Sequence, residues 1–404
     1  MFKIKLFNFQ GPKASGFSRV ALIGFVFLAF VSLSFGAKPA MHGKLQCKVI
    51  SGKGYICDQN GNPVQMRGMS MYGWANAGGY SFYTPQCIAN LYSSWRCHII
   101  RIPYMANGAI SQTVYNAVVQ ACVDSGMYAI IDWHEGAGSS VTAANAFFQT
   151  MATKWHTVPN VLYEPWNEPS GIQWTGGIKP YMETIIKTIR AIDPDNIIIC
   201  GNPNWDQQPQ NAAADPITDA TNIAYSMHFY SGSHPVGSYG PGITTSMSKG
   251  CPIFITEYGA CNTGTVLAEP ACTAWYTFLD QNQIGSTCWA VEYLDQCLSI
   301  FTHSASNTGP WAASVITGYG TFIQAYILKG TDTPISTEVL PYESKFQQRT
   351  FVPTWSDLLT GSDKKSAVFT LNGVRCPSGS KLPSGLHIVQ TPGNSSVKVV
   401  NGVR

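Results

Sequence analysis

Eight short apolar runs, separated by helix-like stretches, constrain the fold of this chain more than any other feature. They are Gln65–Met71, His98–Pro103, Met127–Trp133, Asn160–Tyr163, Ile197–Cys200, Ile223–His228, Ile253–Thr256 and Gly285–Trp289. Each has the length and continuous apolar character of a strand buried on both faces. Between them, apolar residues recur at helical spacing. Ser111 is placed to cap a helix reaching about Asp124, with Val114, Val118 and Cys122 on one face. Val141–Thr157, Tyr181–Ile192, Cys272–Gln281 and Val315–Leu328 repeat that spacing. Strand–helix alternation implies a parallel sheet, and eight units close into an α/β (β/α)8 TIM barrel of about 250 residues or somewhat more. Residues 45–330 fit that size. A doubly wound open sheet is the competing architecture, but the chain lacks its glycine-rich phosphate loop. A β-hairpin is expected ahead of the barrel, with Tyr55–Cys57 entering the turn Asp58–Gly61 and a strand resuming at Val64.

The two ends read differently from the barrel. Residues 1–36 combine Lys3, Lys5, Lys13 and Arg19 with an apolar stretch from Val20 to Phe35 and small residues at Ser34 and Gly36. That is the pattern of a cleaved signal peptide, and it predicts a secreted, extracellular protein. A single membrane anchor is the alternative, although spanning a bilayer takes about 20 apolar residues. No stable membrane association is expected after cleavage, and the mature chain is expected to act as a monomer. Residues 331–404 form a short C-terminal extension rich in Ser, Gly, Pro and Thr, with Ala367–Leu371, Leu386–Gln390 and Ser396–Val400 as candidate strands. One tryptophan, Trp355, and no tyrosine after Tyr342 argue against a row of exposed aromatic rings that would make this segment a binding module. The domains are thus 1–36, a catalytic barrel over 37–330, and 331–404.

Charge separates the same regions. Residues 345–404 hold eight Lys/Arg against two Asp/Glu, whereas 37–344 hold 13 against 20. An acidic body with a basic tail does not read as a nucleic-acid binder. The tail's charge suits weak attraction to acidic wall polymers. All twelve cysteines lie beyond residue 36, and an even number in an exported chain suits disulfides of undetermined pairing. Cys122, Cys200 and Cys288 lie on apolar runs and read as buried thiols. Neither Cys-x-x-Cys nor zinc-like Cys/His spacing occurs, so no metal and no cofactor is expected. Serine-hydrolase elbows, zinc-protease helices and phosphate loops are also missing.

Polar residues cluster where the apolar runs stop, which is where barrels of this kind build their sites. Those positions hold Arg101, Asp132 with His134, Asn167 with Glu168, Trp205, His228 with Tyr230, Glu257 and Trp289. Glu168 closes Val161–Pro169 and Glu257 closes a second run, on strands three apart in the count of eight. Cleaving a glycosidic bond requires one carboxylic acid to protonate the leaving oxygen and a second carboxylate across the anomeric carbon. Glu168 is assigned as acid/base and Glu257 as nucleophile, with a buried ion pair as the purely structural alternative. Asn167 is placed to bond the sugar 2-OH, and Arg101 and Tyr230 to aim Glu257. His228 is expected to bond near Glu168 and help raise its pKa, and His134 to anchor a sugar hydroxyl. Trp289 and Trp205 are candidate stacking platforms under sugar rings. Packing in the core is the alternative for both, and Trp74 and Trp166 are weaker candidates. Glu164 and Asp132 are read as supporting structure, and Glu135 and Glu292 as loop residues without a role.

The chain resembles glycoside hydrolase family 5, and within it the secreted β-1,4-endoglucanases of bacteria and plant-parasitic nematodes. The resemblance rests on Met66–Met69, Ile100–Pro103, Ile131–His134, Leu162–Glu164 with Asn167-Glu168-Pro169, Gly201–Trp205, His228–Tyr230 with Ser233-His234, and Pro252–Gly259. It implies a retaining (β/α)8 glycosidase acting on a β-glucan of the plant cell wall, with Glu168 and Glu257 in the roles above. One departure stands out. Relatives carry a lysine and then a glutamate after the last strand, whereas here Leu294 and Gln296 stand about there. The lost ammonium predicts weaker cellulose affinity and leaves room for mannan, xylan or mixed-linkage glucan. A silent glycan-binding or host-interaction protein is the rival of another class.

Overall fold

The computed structural model describes residues 40–330 apart from 75–79, 107–109, 262–265 and 295, together with the backbone of 367–370, 385–390 and 397–402. The proposed signal segment, Trp355 and Cys376 lie outside the described residues. All eight apolar runs are strands: β3 (Arg67–Met71), β4 (Ile99–Tyr104), β5 (Tyr128–Trp133), β6 (Val161–Glu164), β7 (Ile198–Cys200), β8 (Ile223–Tyr230), β9 (Ile253–Gly259) and β10 (Ser286–Val291). They form a closed parallel barrel in sequence order, with β10 paired back onto β3. This is the (β/α)8 architecture that the alternation predicts.

The helices connecting them are α1 (Pro85–Trp95), α2 (Gln112–Ser125), α3 (Val141–Trp155), α4 (Lys179–Arg190), the short turns α5 (Pro203–Asp206) and α6 (Pro209–Ala214), then α7 (Val236–Ser248), α8 (Glu269–Asn282) and α9 (Gly318–Lys329). Ser111 caps α2 as expected, its hydroxyl accepting from the Val114 amide at 3.3 Å. Beyond the short turns α5 and α6, two longer helices are not expected from the sequence. In α1, Thr84 caps ahead of Pro85 and Ile88, Leu91 and Trp95 are buried, so the start signal was present. In α7, Gly237, Gly240, Gly242 and Pro241 give a poor helical sequence that tertiary packing overrides.

The N-terminal hairpin lies one step earlier than expected. It is β1 (Gln46–Ile50) against β2 (Lys53–Cys57), turning at Ser51-Gly52. The Asp58–Gly61 turn exists, but it leads only to a single bridge between Cys57 and Pro63. In the C-terminal unit, β11 (Ala367–Thr370), β12 (Gly385–Gln390) and β13 (Val397–Gly402) form an antiparallel sheet by themselves. Among the described residues no helix is long and apolar enough to cross a membrane.

Alternate residues on a strand face the lumen. Ile99, Ile130, Leu162, Ala224 and Phe254 belong to one apolar cluster that plugs it. Two positions further along the same strands stand Arg101, Asp132, Glu164, Ser226 and Thr256, all buried and all polar. The lumen thus changes from apolar to polar within one step of the alternation, toward the C-terminal ends.

Candidate active site

Arg101 is the centre of the polar layer and is fully buried. Its Nε and Nη2 donate to both oxygens of Glu164 at 2.7 and 3.0 Å, and Nη2 also meets Asp132 Oδ2 at 3.0 Å. Nη2 donates to Asn167 Oδ1 at 2.6 Å, and Nη1 donates to Glu257 Oε2 at 2.8 Å. Isolated carboxylates would be very costly here, so the guanidinium fork is what makes three of them tolerable. Burial still pushes Glu164 upward, and it pushes Asp132 up to about 7 against the pull of Arg101. Both are held within the Arg101 network, on the inward phase of their strands.

Glu257 faces the lumen because β9 carries a bulge. Ser226 pairs with Phe254, yet His228 pairs with Glu257, so β9 has one residue more than β8 over the same span. Phe254 faces inward, and strict alternation would turn Glu257 outward; the extra residue reverses the phase. Once inside, Glu257 accepts from Arg101 on Oε2 and from the Tyr230 hydroxyl on Oε1 at 2.5 Å.

Glu168 sits differently from the expectation. β6 ends at Glu164, and Glu168 follows four residues later in a left-handed conformation with φ 52°. It is thus a loop residue past the strand, not the strand's last position. Its Oε1 lies 3.0 Å from His228 Nδ1, while Nε2 of that imidazole lies 2.8 Å from the Thr256 hydroxyl. Burial lowers His228 to about 4, so the ring is neutral near pH 7. A neutral ring satisfies both contacts when Thr256 donates to Nε2 and Nδ1–H donates to Glu168. The pKa of Glu168 is raised, but the cause is burial rather than His228, with His134 and Arg101 opposing it. Carboxylate oxygens of Glu168 and Glu257 lie within 4.8 Å of each other, and within the same distance of a His228 nitrogen.

The remaining predicted residues surround this pair. Asn167 accepts from Arg101 through Oδ1, which leaves Nδ2 as the donor of its amide. His134 bonds Asp132 through Nδ1 at 2.7 Å, and burial takes it down to about 4. Trp289 is only 5% exposed, and His134 stacks on it at 5.3 Å with the planes 6° apart. One face of that indole is therefore taken by protein. Trp74 is more open, 38% exposed, and meets both His134 and Trp289 edge-on. Trp205 is the most exposed of the four at 50%. Trp166 is core: it is buried against Tyr181 at 4.4 Å and donates to the Gly136 carbonyl.

Two of the weaker readings need correction. Glu292 is not an idle loop residue. It is fully buried, accepts from Gln296 at 2.7 Å and Ser299 at 3.1 Å, and burial raises it to about 7. Gln296 thus serves to close its own loop. Leu294 packs partly buried against the core. Glu135 does have a local partner, accepting from the Ala106 amide at 2.8 Å. Among the described cysteines, Cys261 and Cys297 form a disulfide across the loops that follow β9 and β10, and Cys122, Cys200 and Cys288 are buried thiols as expected.

Asp206 was missed altogether. It is fully buried and accepts from the amides of Asn202 at 2.6 Å and Glu168 at 3.0 Å. Its carboxylate also converges with Glu164 and His228 within 4.8 Å. Nothing in Asn204-Trp205-Asp206 signals that this side chain turns back onto another loop. Elsewhere, a cavity of about 240 Å³ opens beside the hairpin, lined by Cys47, Lys48, Tyr225, Lys249 and Cys251. It adjoins the starts of β8 and β9, the opposite end from the carboxylates.

Comparison with known proteins places this geometry. The profile of the Cellulase family, glycosyl hydrolase family 5, matches residues 57–295. An endoglucanase of Clostridium saccharobutylicum is 33% identical over 397 residues, covering 94% of this chain and 86% of that protein. Endoglucanase Z of Dickeya dadantii is 36% identical over 268 residues, covering 61% of this chain and 62% of that protein, which is less than two thirds of its length. Among solved structures, one from Cytophaga hutchinsonii matches with a TM-score of 0.67 and 31% identity, covering 72% of this chain and 98% of that chain. The catalytic domain of a Thermobifida fusca endoglucanase in complex with cellotetraose matches with a TM-score of 0.63 and 27% identity, covering 72% of this chain and 100% of that chain.

Proposed function

The chain belongs to the Cellulase family, glycosyl hydrolase family 5, and from that premise we propose how its site works. It is an endo-β-1,4-glucanase that cleaves internal bonds of cellulose or related β-glucans with retention of configuration. The observation that carries this reading is the approach of Glu168 and Glu257 to within 4.8 Å. That oxygen-to-oxygen approach is compatible with the short carboxyl separation, about 5 to 5.5 Å, that double displacement uses.

In the first step the Glu257 carboxylate forms a bond to C1 as the glycosidic C1–O bond breaks, and the Glu168 proton passes to the departing oxygen. Glu168 then takes a proton from water, and that water's oxygen displaces Glu257 from C1. Arg101 and Tyr230 hold the two oxygens of Glu257 so that it need not reorganise as the bond forms. The burial that raises Glu168 favours the protonated form that the first step uses. Asn167 donates to the 2-OH. Neutral His134, whose Nδ1–H is spent on Asp132, accepts from a sugar hydroxyl through Nε2. Trp205 and Trp289 border the path of the sugar rings.

The same reading makes residues 1–36 a signal peptide, the mature enzyme a secreted monomer, residues 37–330 its catalytic unit, and 331–404 a basic extension. Reducing-sugar release from carboxymethylcellulose, barley β-glucan, xylan and mannan tests it, with Glu257→Ala alongside. Release from cellulose and β-glucan that vanishes in the variant supports the proposal. Release from xylan or mannan alone moves the substrate, and no release by a folded protein supports a glycan-binding role instead.

A further inference from the structure

Asp206 sits in a backbone that L-residues rarely adopt. Asn204, Trp205 and Asp206 follow one another with φ of 60°, 56° and 57°, and none is glycine. Glu168, on the facing loop, is left-handed as well. Each such residue costs on the order of 1 kcal/mol or more, so the surroundings must impose the conformation. The buried carboxylate of Asp206 does so on both sides, holding the Asn202 amide through Oδ1 and the Glu168 amide through Oδ2. The Trp205 amide donates across to the Pro169 carbonyl at 3.2 Å and closes the same seam. Gly201 permits the approach, since a Cβ there would lie 2.4 Å from the Trp166 carbonyl oxygen and 2.9 Å from Asp206 Oδ1. Asp206 Oδ2 is also 3.6 Å from Nε2 of His228, whose other nitrogen faces Glu168.

We propose that Asp206 is a positioning residue for the acid function of Glu168, fixing its left-handed backbone so that its proton meets the departing oxygen and locking the exposed Trp205 ring to the same frame. The proposal rests on the assignment of Glu168 as acid/base. It predicts a defect that depends on how much help the leaving group needs. Cellotetraose departs through a poor leaving group and requires the proton, whereas dinitrophenyl cellobioside departs through a stable phenolate and does not. General acid catalysis is worth roughly 10²- to 10⁴-fold.

The test compares kcat/KM on these two substrates for wild type, Asp206→Asn and Glu168→Gln. Asp206→Asn has one acceptor oxygen where two amides need one each. The ratio of the two values in one preparation is independent of how much of the protein is correctly folded. Glu168→Gln should lose its activity on cellotetraose and keep most of it on dinitrophenyl cellobioside. Asp206→Asn should shift the ratio the same way, by about tenfold or more, and Asp206→Ser provides a second reading should the asparagine variant not fold. An equal loss on both substrates, or no loss, while Glu168→Gln still discriminates, overturns the role of Asp206 alone. If Glu168→Gln loses both substrates equally, the acid/base assignment itself fails, and the proposal falls with it.

Discussion

Arg101 donates from Nη1 to Glu257 Oε2 at 2.8 Å, joining β4 to β9 across the lumen of the barrel. The same guanidinium grips Glu164 by both oxygens and reaches Asp132 and Asn167. One cation thus sets the position of the nucleophile and of the residue next to the acid. Arg101→Lys replaces a planar fork by a single ammonium that cannot serve these partners together. Stability should fall by about 3 to 5 kcal/mol, measured by urea unfolding, because a carboxylate is left buried and unmatched. Turnover should fall about 10²-fold or more in the protein that remains folded.

The pH profile follows from Glu168. As an acid it must carry its proton, and burial raises its pKa above the ordinary glutamate value of about 4.3. Activity should decline as pH rises through the raised value, so the alkaline limb of kcat/KM lies above the ordinary one. In Glu168→Gln that limb should disappear from the residual activity on dinitrophenyl cellobioside. A wild-type limb at or below an ordinary glutamate's pKa contradicts the assignment.

The Cys261–Cys297 disulfide joins the loops after β9 and β10 with a separation of 36 residues. Closing a loop of that length restricts the unfolded chain by about 3 to 4 kcal/mol. Cys297→Ser should lower Tm by about 5 to 7 °C. Adding Cys261→Ser should then change it little, because both substitutions remove one bond.

Trp205 offers its ring to solvent at 50% exposure. If it carries a sugar ring, Trp205→Ala should weaken substrate by about 0.5 to 1.5 kcal/mol, seen as a higher KM for cellohexaose at nearly constant kcat. An unchanged KM removes Trp205 from the binding surface.

Much of this was legible beforehand, for physical reasons. Runs such as Ile99–Ile102 and Ile253–Ile255 are strands because a doubly covered parallel strand needs apolar residues at consecutive positions. Arg101 and Asp132 stand out because charge at the end of such a run demands partners, and Glu164 reads only as supporting structure beside them. The bulge in β9 was not legible, since nothing in Phe254-Ile255-Thr256-Glu257 marks the extra residue that turns Glu257 inward. Asp206 and Glu292 escaped for a related reason. Their partners are amides and side chains brought near only by tertiary folding. In α7 the local preference was misleading, as three glycines and a proline are carried in a helix that the barrel requires.

The nucleophile is the centre of this account, and trapping it is the most direct measurement. Incubation with the 2-deoxy-2-fluoro derivative of dinitrophenyl cellobioside should inactivate the enzyme and add one fluorocellobiosyl group to its mass. Peptide mapping should place that group on Glu257. An adduct on another residue, or hydrolysis of the natural substrate with no adduct and an inverted product, would contradict it.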